Sequence, residues 1–229
     1  MKEKISSLTL KIRKMTLTSC FLAIAILMSF VGNTYMPLTF LANYLNLDIS
    51  LVFIIPIIFA CGLYWSNFAG IVAALFIFAW SFEGGWIGVV FNIVVNIAVV
   101  NLIYLLYFVC LKKLQLNFYI KLLITFITMW FFLIIFCSFI NGILFTPLYW
   151  QWYGYLKIPS FVDAEKVYNE NPTIWLLYIP TYWAGIFGLY SSFNSLKFGI
   201  VFFILYPVLA SLIKAKVFDR YFFQKLNTL

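Results

Sequence analysis

The sequence predicts an all-α membrane protein, a single integral-membrane domain over residues 1–229 built as a bundle of six transmembrane helices. Three observations support this. The chain is 65% hydrophobic and only 10% charged, which a bilayer can solvate but a soluble domain of this length could not bury. Its apolar runs approach the roughly 20 residues that one helix needs to cross the hydrocarbon core. Its basic residues lie mainly in one alternating set of connections, as the positive-inside rule expects.

Six apolar stretches form the predicted spans. They cover residues of about 15–32, 51–64, 66–82, 87–111, 119–140 and 196–214. The second and third are short and are separated only by Tyr64-Trp65-Ser66-Asn67, which favours a tight helical hairpin. The first could be a signal peptide, because residues 1–14 are basic, but it is long and lacks a small-residue cleavage site. We therefore expect it to be a retained helix.

The net charge of +8 predicts an orientation rather than binding to nucleic acid. With the N-terminus inside and six spans, twelve of the fifteen Lys and Arg residues face the cytoplasm, and both termini are cytoplasmic. The other three basic residues are Lys157, Lys166 and Lys197. We expect a multi-pass protein of the bacterial plasma membrane.

The sequence lacks the residues that metal binding, ATP binding and acid-base catalysis usually require. The four cysteines, at positions 20, 61, 110 and 137, lie in separate helices, and the chain has no histidine, so we expect no metal site. No Gly-x-x-x-x-Gly-Lys-[Ser/Thr] loop is present for binding ATP, and no paired carboxylates sit in a helix. The sequence therefore predicts no enzyme, no catalytic residue and no cofactor.

The connections on the outer side carry most of the remaining polar residues. Segment 33–50 is too apolar for a solvated loop, so we expect it to pack over the mouth of the bundle. Segment 141–195 is long enough to be a functional lid. Within it, residues 174–190 could form a seventh span, but Pro180 and the aromatic content favour a short interfacial or re-entrant helix on the outer side before the last span.

Two patterns suggest interaction sites. Ser19-x-x-x-Ala23 places small residues on one face of the first helix, which would suit either packing within the bundle or docking of a partner membrane protein. Asn194 and Lys197 share a helical face near the outer end of the last span. Lys197 could simply extend to the interface, but together with Asn141 and aromatic rings it would suit a planar, oxygen-rich ligand.

Four segments resemble the riboflavin-specific S component of energy-coupling factor (ECF) transporters. They are Leu47-Asp48-Ile49-Ser50, Gly88-Val89-Val90-Phe91-Asn92, Asn141 with Thr146-Pro147-Leu148-Tyr149, and Ser192 to Gly199. The chain departs from the family pattern at Val89, where a glutamate is usual, and at Ser192, where a proline is usual.

The resemblance implies a subunit that captures riboflavin or a related flavin outside the cell for ATP-driven uptake. Its partners would be a transmembrane coupling protein and two cytoplasmic ATPase subunits, and Ser19 and Ala23 would belong to the docking face. The implied substrate-binding residues are Asp48, Asn92, Asn141, Tyr149, Asn194 and Lys197. The alternatives are an S component for another vitamin, such as folate or pantothenate, and a non-transport membrane protein such as a lipid-acting enzyme or an assembly factor.

Overall fold

The computed structural model describes residues 7–38, 41, 45–80 and 85–215, and most of these are helical. No strand forms among them beyond an isolated bridge between Pro37 and Asn46. The α-helices in chain order are α1 (Ser7–Tyr35), α2 (Leu51–Ala60), α3 (Leu63–Phe76), α4 (Gly85–Ile103), α5 (Phe118–Ile140), α6 (Thr146–Trp152), α7 (Phe161–Glu170) and α8 (Tyr182–Lys214).

Among the described residues, four continuous helical segments are long and apolar enough to cross a membrane, which is compatible with a helical membrane protein. They are Leu8–Tyr35, Gly85–Cys110, Phe118–Trp152 and Tyr182–Lys214. Two of these segments contain π-helical turns, Tyr104–Cys110 after α4 and Asn141–Phe145 between α5 and α6. The predicted spans at 51–64 and 66–82 form shorter apolar helices, Leu51–Ala60 and Leu63–Ala79, so the six-span prediction is met only in part.

The turn between α2 and α3 lies earlier than the sequence suggested. The chain reverses at Cys61-Gly62, and residues 64–67 belong to α3 instead of separating two helices. Gly62 adopts φ 98°, a left-handed conformation that glycine takes at no steric cost. The Ser66 hydroxyl then donates to the Ile54 carbonyl at 3.2 Å and ties the two helices together.

The last helix is longer than the sequence indicated. It begins at Tyr182 instead of residue 196, so residues 182–190 are part of it and do not form a separate interfacial helix. Pro180 lies just ahead of this start, where its fixed φ and missing N–H disrupt no helical bond. Two shorter helical elements lie between α6 and α8 among the described residues: α7, which lies earlier than segment 174–190, and a single 3-10 turn, Ile174–Leu176, which lies within that segment.

Two large apolar clusters, with a small third one around Ile57, Cys61 and Ala69, hold the described part of the bundle together. The larger joins α2, α4, α5 and α8, where the rings of Phe126 and Phe202 stack with centroids 4.9 Å apart. The second cluster lies at the other end, where Trp150, Tyr168 and Tyr182 pack with the described part of segment 38–49. As expected for the 33–50 connection, these residues are largely buried. A hollow lies between the helix ends and this second cluster.

Candidate functional site

The hollow is a cavity of about 430 Å³ that draws its walls from five parts of the chain. Its polar lining residues are Asn33, Asn46, Asp48, Asn92, Asn141, Thr146, Tyr149, Tyr153, Tyr190 and Lys197, and its apolar and indole-bearing ones include Leu45, Ile77, Trp80, Phe91, Trp150, Trp175, Leu176 and Phe193. This volume lies within the range of roughly 300–1,000 Å³ that is typical of small-molecule pockets.

Three of the cavity's four asparagines are oriented by their own helices. The side-chain nitrogens of Asn33, Asn92 and Asn141 donate to the carbonyls of Ser29, Gly88 and Cys137 at 2.8, 2.9 and 2.7 Å. A backbone carbonyl can only accept, so each bond identifies which end of the amide is the nitrogen. Each side-chain oxygen is thereby directed away from that carbonyl and retains its capacity to accept from a ligand.

Lys197 is the only cation among the lining residues, and it is 5% exposed. Its Nζ lies 6.0 Å from the centroid of the Phe198 ring. Within the described part of the chain, no hydrogen bond or ion pair joins Lys197 to another residue. A lysine in this position can supply three N–H donors to a bound molecule.

Asp48 supplies the cavity's carboxylate and is held by two bonds. The Ser50 backbone N–H donates to one carboxylate oxygen at 2.8 Å, and the Ser29 hydroxyl donates to the other at 3.3 Å. These bonds link the connection after α1 to α1 itself. Because Asp48 and Lys197 form no ion pair, the two opposite charges face the same space separately.

Aromatic rings form much of the wall. Phe91 packs edge-to-face on Phe145 with centroids 4.9 Å apart, and Tyr153 packs against Trp175 at 5.5 Å. The Trp80 indole N–H is buried and makes no hydrogen bond to any residue that the structure describes. Rings of this kind can stack on a flat ligand while the amides and Lys197 bind its polar edge.

The π-helical turn Asn141–Phe145 positions one side of the cavity. Gly142 allows α8 to approach closely, since a Cβ there would lie 2.6 Å from the Trp183 ring. The Tyr182 hydroxyl donates to the Gly142 carbonyl at 2.6 Å, satisfying a group that the widened turn could leave unpaired. The same turn leads into α6, whose Tyr149 hydroxyl lies over Gly88 of α4.

The segment from α7 to α8 covers the cavity. Trp175 and Leu176 line the space, and the next two residues, Leu177 and Tyr178, have φ of 58° and 56°. Successive left-handed residues other than glycine are strained and need support from their surroundings. Tyr168 provides part of it by donating to the Leu176 carbonyl at 3.3 Å, and burial raises the pKa of this hydroxyl, which favours the protonated donor.

The structure brings together five of the six residues that the sequence singled out. Asp48, Asn92, Asn141, Tyr149 and Lys197 all line the cavity. Asn194 does not; its side-chain nitrogen donates to the Tyr190 carbonyl at 2.7 Å and the residue is 1% exposed. A role for any of them in binding stays a prediction.

Other lining residues escaped the sequence analysis. Asn33 and Asn46 lay within a segment predicted only to cover the bundle, and Trp80 was assigned to a span. Trp175 and Tyr190 lay in the segment whose path was open. The sequence signal that could have found them is an amide or indole within a few residues of a predicted span end.

The residues predicted to dock a partner lie elsewhere. Ser19 and Ala23 are both exposed on α1 and do not line the cavity. No described part of the chain covers their surface, but its role in docking stays a prediction.

A second hollow, of about 530 Å³, lies between α5 and α8 and differs in chemistry. It is lined almost entirely by apolar side chains such as Ile127 and Phe203. Its indole, Trp130, is already engaged, because its N–H donates to the Ser195 carbonyl at 2.9 Å. Apart from the Tyr206 hydroxyl, this hollow offers no free polar group to a ligand among the described residues.

Comparison with known proteins identifies two bacterial relatives. The chain is 32% identical to the MG350.1 homolog of Mycoplasma pneumoniae, over 92% of this chain and 89% of that protein. It is also 32% identical to MG350.1 of Mycoplasma genitalium, over 86% of each chain. No family model and no solved structure matches the chain. Neither relative's name states an activity, so a function must be argued from the cavity.

Proposed function

We propose that this chain, which belongs to the family of the Mycoplasma MG350.1 proteins, is the substrate-binding S component of an ECF-type transporter and captures riboflavin or a related flavin. The observation that carries the proposal is the cavity of about 430 Å³, in which aromatic rings, oriented amides and one lysine face a common space. A flavin presents a flat ring, carbonyl acceptors, a ring N–H and a chain of hydroxyls, and these groups complement that lining.

The individual groups have evident partners on such a ligand. Lys197 can donate to ring carbonyls, since it has no other acceptor among the described residues. The side-chain oxygens of Asn92 and Asn141 can accept from hydroxyls or from the ring N–H. The aromatic residues favour a ring over a flexible, non-aromatic vitamin such as pantothenate.

The proposal includes a topology. We propose six spans, with the shorter α2 and α3 crossing as a hairpin and both termini in the cytoplasm. Cys61 at the tip of this hairpin lies 3.5 Å from the Lys14 carbonyl, beside the basic start of α1. Gly32, near the other end of α1, packs against the backbone of Leu47 and Asp48. This arrangement supports a cavity at the end of the bundle away from the basic start of α1, which is the outer side in the proposed topology.

The energy for uptake would come from other proteins. The chain has no ATP-binding loop, so we propose that a transmembrane coupling protein and two ATPase subunits drive transport. The exposed Ser19 and Ala23 on α1 are the proposed contact with the coupling protein.

Titration with riboflavin tests the proposal. The full chain is purified in detergent, and flavin fluorescence is followed as protein is added; stacking on an indole or phenol ring should quench it. Folate and pantothenate are tested as competitors, to distinguish the vitamins. Binding of either without binding of riboflavin would point to the alternative S component, and binding of none would leave the non-transport alternatives.

A matched pair of variants locates the binding site. Asn92→Ala removes an acceptor from the cavity and should weaken binding about two- to tenfold, the effect of losing one neutral hydrogen bond. Asn101→Ala changes the same residue type in the same segment, but outside the cavity, and should bind as the wild type does. Equal riboflavin affinity of the two variants would mean that the cavity is not the binding site.

A further inference from the structure

A pair of asparagines lies on the lateral surface of the helix bundle, away from the cavity. Asn67 of α3 and Asn101 of α4 are joined by a hydrogen bond of 3.1 Å from the Asn101 nitrogen to the Asn67 oxygen. Asn101 is exposed and lies inside the apolar segment Gly85–Cys110. An amide in contact with lipid is costly, and polar residues at such positions usually have a partner.

The bonds of Asn101 establish which amide groups remain free. Its nitrogen also donates to the Ile97 carbonyl at 2.8 Å, so both of its N–H groups are engaged, while its oxygen accepts from no described residue. Asn67 is in the opposite situation, because its oxygen accepts from Asn101 while its nitrogen makes no bond within the described chain. The surface thus presents one free acceptor beside one free donor.

We propose that this face is the interface of a symmetric homodimer in the membrane. A donor and an acceptor side by side are self-complementary under a two-fold axis, since the Asn67 nitrogen of each copy can donate to the Asn101 oxygen of the other. An axis along the membrane normal keeps both copies in the same orientation, as insertion requires. This inference does not depend on the proposed transport function.

The surroundings of the pair suit helix packing. Ile97 and Leu105 lie one helical turn on either side of Asn101 and are 36% and 49% exposed, and Phe68 next to Asn67 is 48% exposed. A polar residue within an apolar stripe fixes register and partner choice between helices, because any other alignment leaves the amides in lipid.

Energy transfer between labelled copies tests the inference. Full-length protein carrying a donor or an acceptor fluorophore on its C-terminal tail is reconstituted into phosphatidylcholine vesicles over a range of protein-to-lipid ratios. The wild type should transfer energy above the level of random proximity. Asn101→Leu should need roughly tenfold more protein per lipid for the same transfer, from the loss of two symmetry-related hydrogen bonds.

Controls keep the test independent of folding and of the cavity. Thr128→Leu makes a similar change at an exposed polar residue on α5 and should associate as the wild type does. Asn101→Leu should retain the helicity and any ligand affinity of the wild type, because leucine favours a helix and Asn101 lies outside the cavity. Its melting temperature should fall slightly, because the bond to Asn67 within the same chain is lost as well. Transfer at the random level for the wild type at every ratio, or unchanged association of Asn101→Leu, would overturn the inference.

Discussion

Replacing Lys197 with methionine should have opposite effects on stability and on ligand binding. The lysine is 5% exposed, and no described residue forms a hydrogen bond or ion pair with it. A buried, unpaired charge destabilises the folded state. A methionine fills nearly the same volume without that cost, so the empty protein should become more stable.

The contacts of Lys197 set the size of both effects. Its interaction with the Phe198 ring, at 6.0 Å, contributes roughly 0.5–1 kcal/mol and is lost on replacement. We expect the desolvation cost that methionine removes to be larger than the lost ring interaction by about 1 kcal/mol. For a chain of this length, that difference corresponds to a melting temperature roughly 2–4 °C higher. A hydrogen bond from a charged donor to the ligand contributes about 1.5–3 kcal/mol, so the dissociation constant for riboflavin should rise about 10- to 150-fold.

Two measurements on one protein preparation test the predicted effects on stability and on affinity. Thermal unfolding without ligand gives the change in stability, and a riboflavin titration gives the change in affinity. Lys157→Met is the control, because Lys157 is exposed outside the cavity and its replacement should alter neither quantity. A lower melting temperature for Lys197→Met would show that the lysine is structurally satisfied, and an unchanged affinity would refute its role in binding.

Two other substitutions test the packing of the π-helical turn Asn141–Phe145 and the exposed face of α1. Gly142→Ala would place a Cβ 2.6 Å from the Trp183 ring and should lower the free energy of unfolding by about 1–3 kcal/mol. Thermal melting measures this change, and an unchanged melting temperature would mean that α8 can move away at no cost. Ala23→Leu adds bulk to the exposed face of α1 and should abolish uptake of labelled riboflavin in whole cells while leaving the riboflavin affinity of the purified protein unchanged. Loss of both uptake and affinity would mean that this face packs internally.

The sequence was a good guide to the helices where apolar runs were long and uninterrupted. Segments such as Gly85–Cys110 lie within a few residues of their predicted bounds. It misplaced the start of α8, because Pro180 and Gly185 suggested a break. In the structure Pro180 precedes the helix and Gly185 lets Leu176 approach its backbone, so neither residue interrupts it. Whether a glycine ends a helix or lets a neighbouring residue pack against the helix backbone depends on tertiary packing, and the residues around the glycine in the sequence do not reveal that packing.

The candidate site could be predicted where a polar residue stood out in an apolar chain, as Asn141 and Lys197 do. Spacing alone misjudged Asn194. It lies on nearly the same helical face as Lys197, but its short side chain bonds the Tyr190 carbonyl of its own helix, while the longer lysine side chain reaches the cavity. Trp175 was beyond prediction, since it lies in a single 3-10 turn, Ile174–Leu176, that ends in the strained residues Leu177 and Tyr178.

The fixed amides predict what kind of ligand the cavity selects. The side-chain oxygens of Asn33, Asn92 and Asn141 are acceptors held in place by bonds within their own helices, so they cannot readily turn to donate. A ligand without matching donors would leave them desolvated and unpaired, and sites of this kind discriminate strongly against such analogues. Lumiflavin has the flavin ring but a methyl group in place of the hydroxylated chain, so it should bind at least about tenfold more weakly than riboflavin, the cost of roughly one unpaired polar group. The same fluorescence titration measures both ligands, and equal affinities would show that ring stacking alone governs recognition and that the amides serve only the fold.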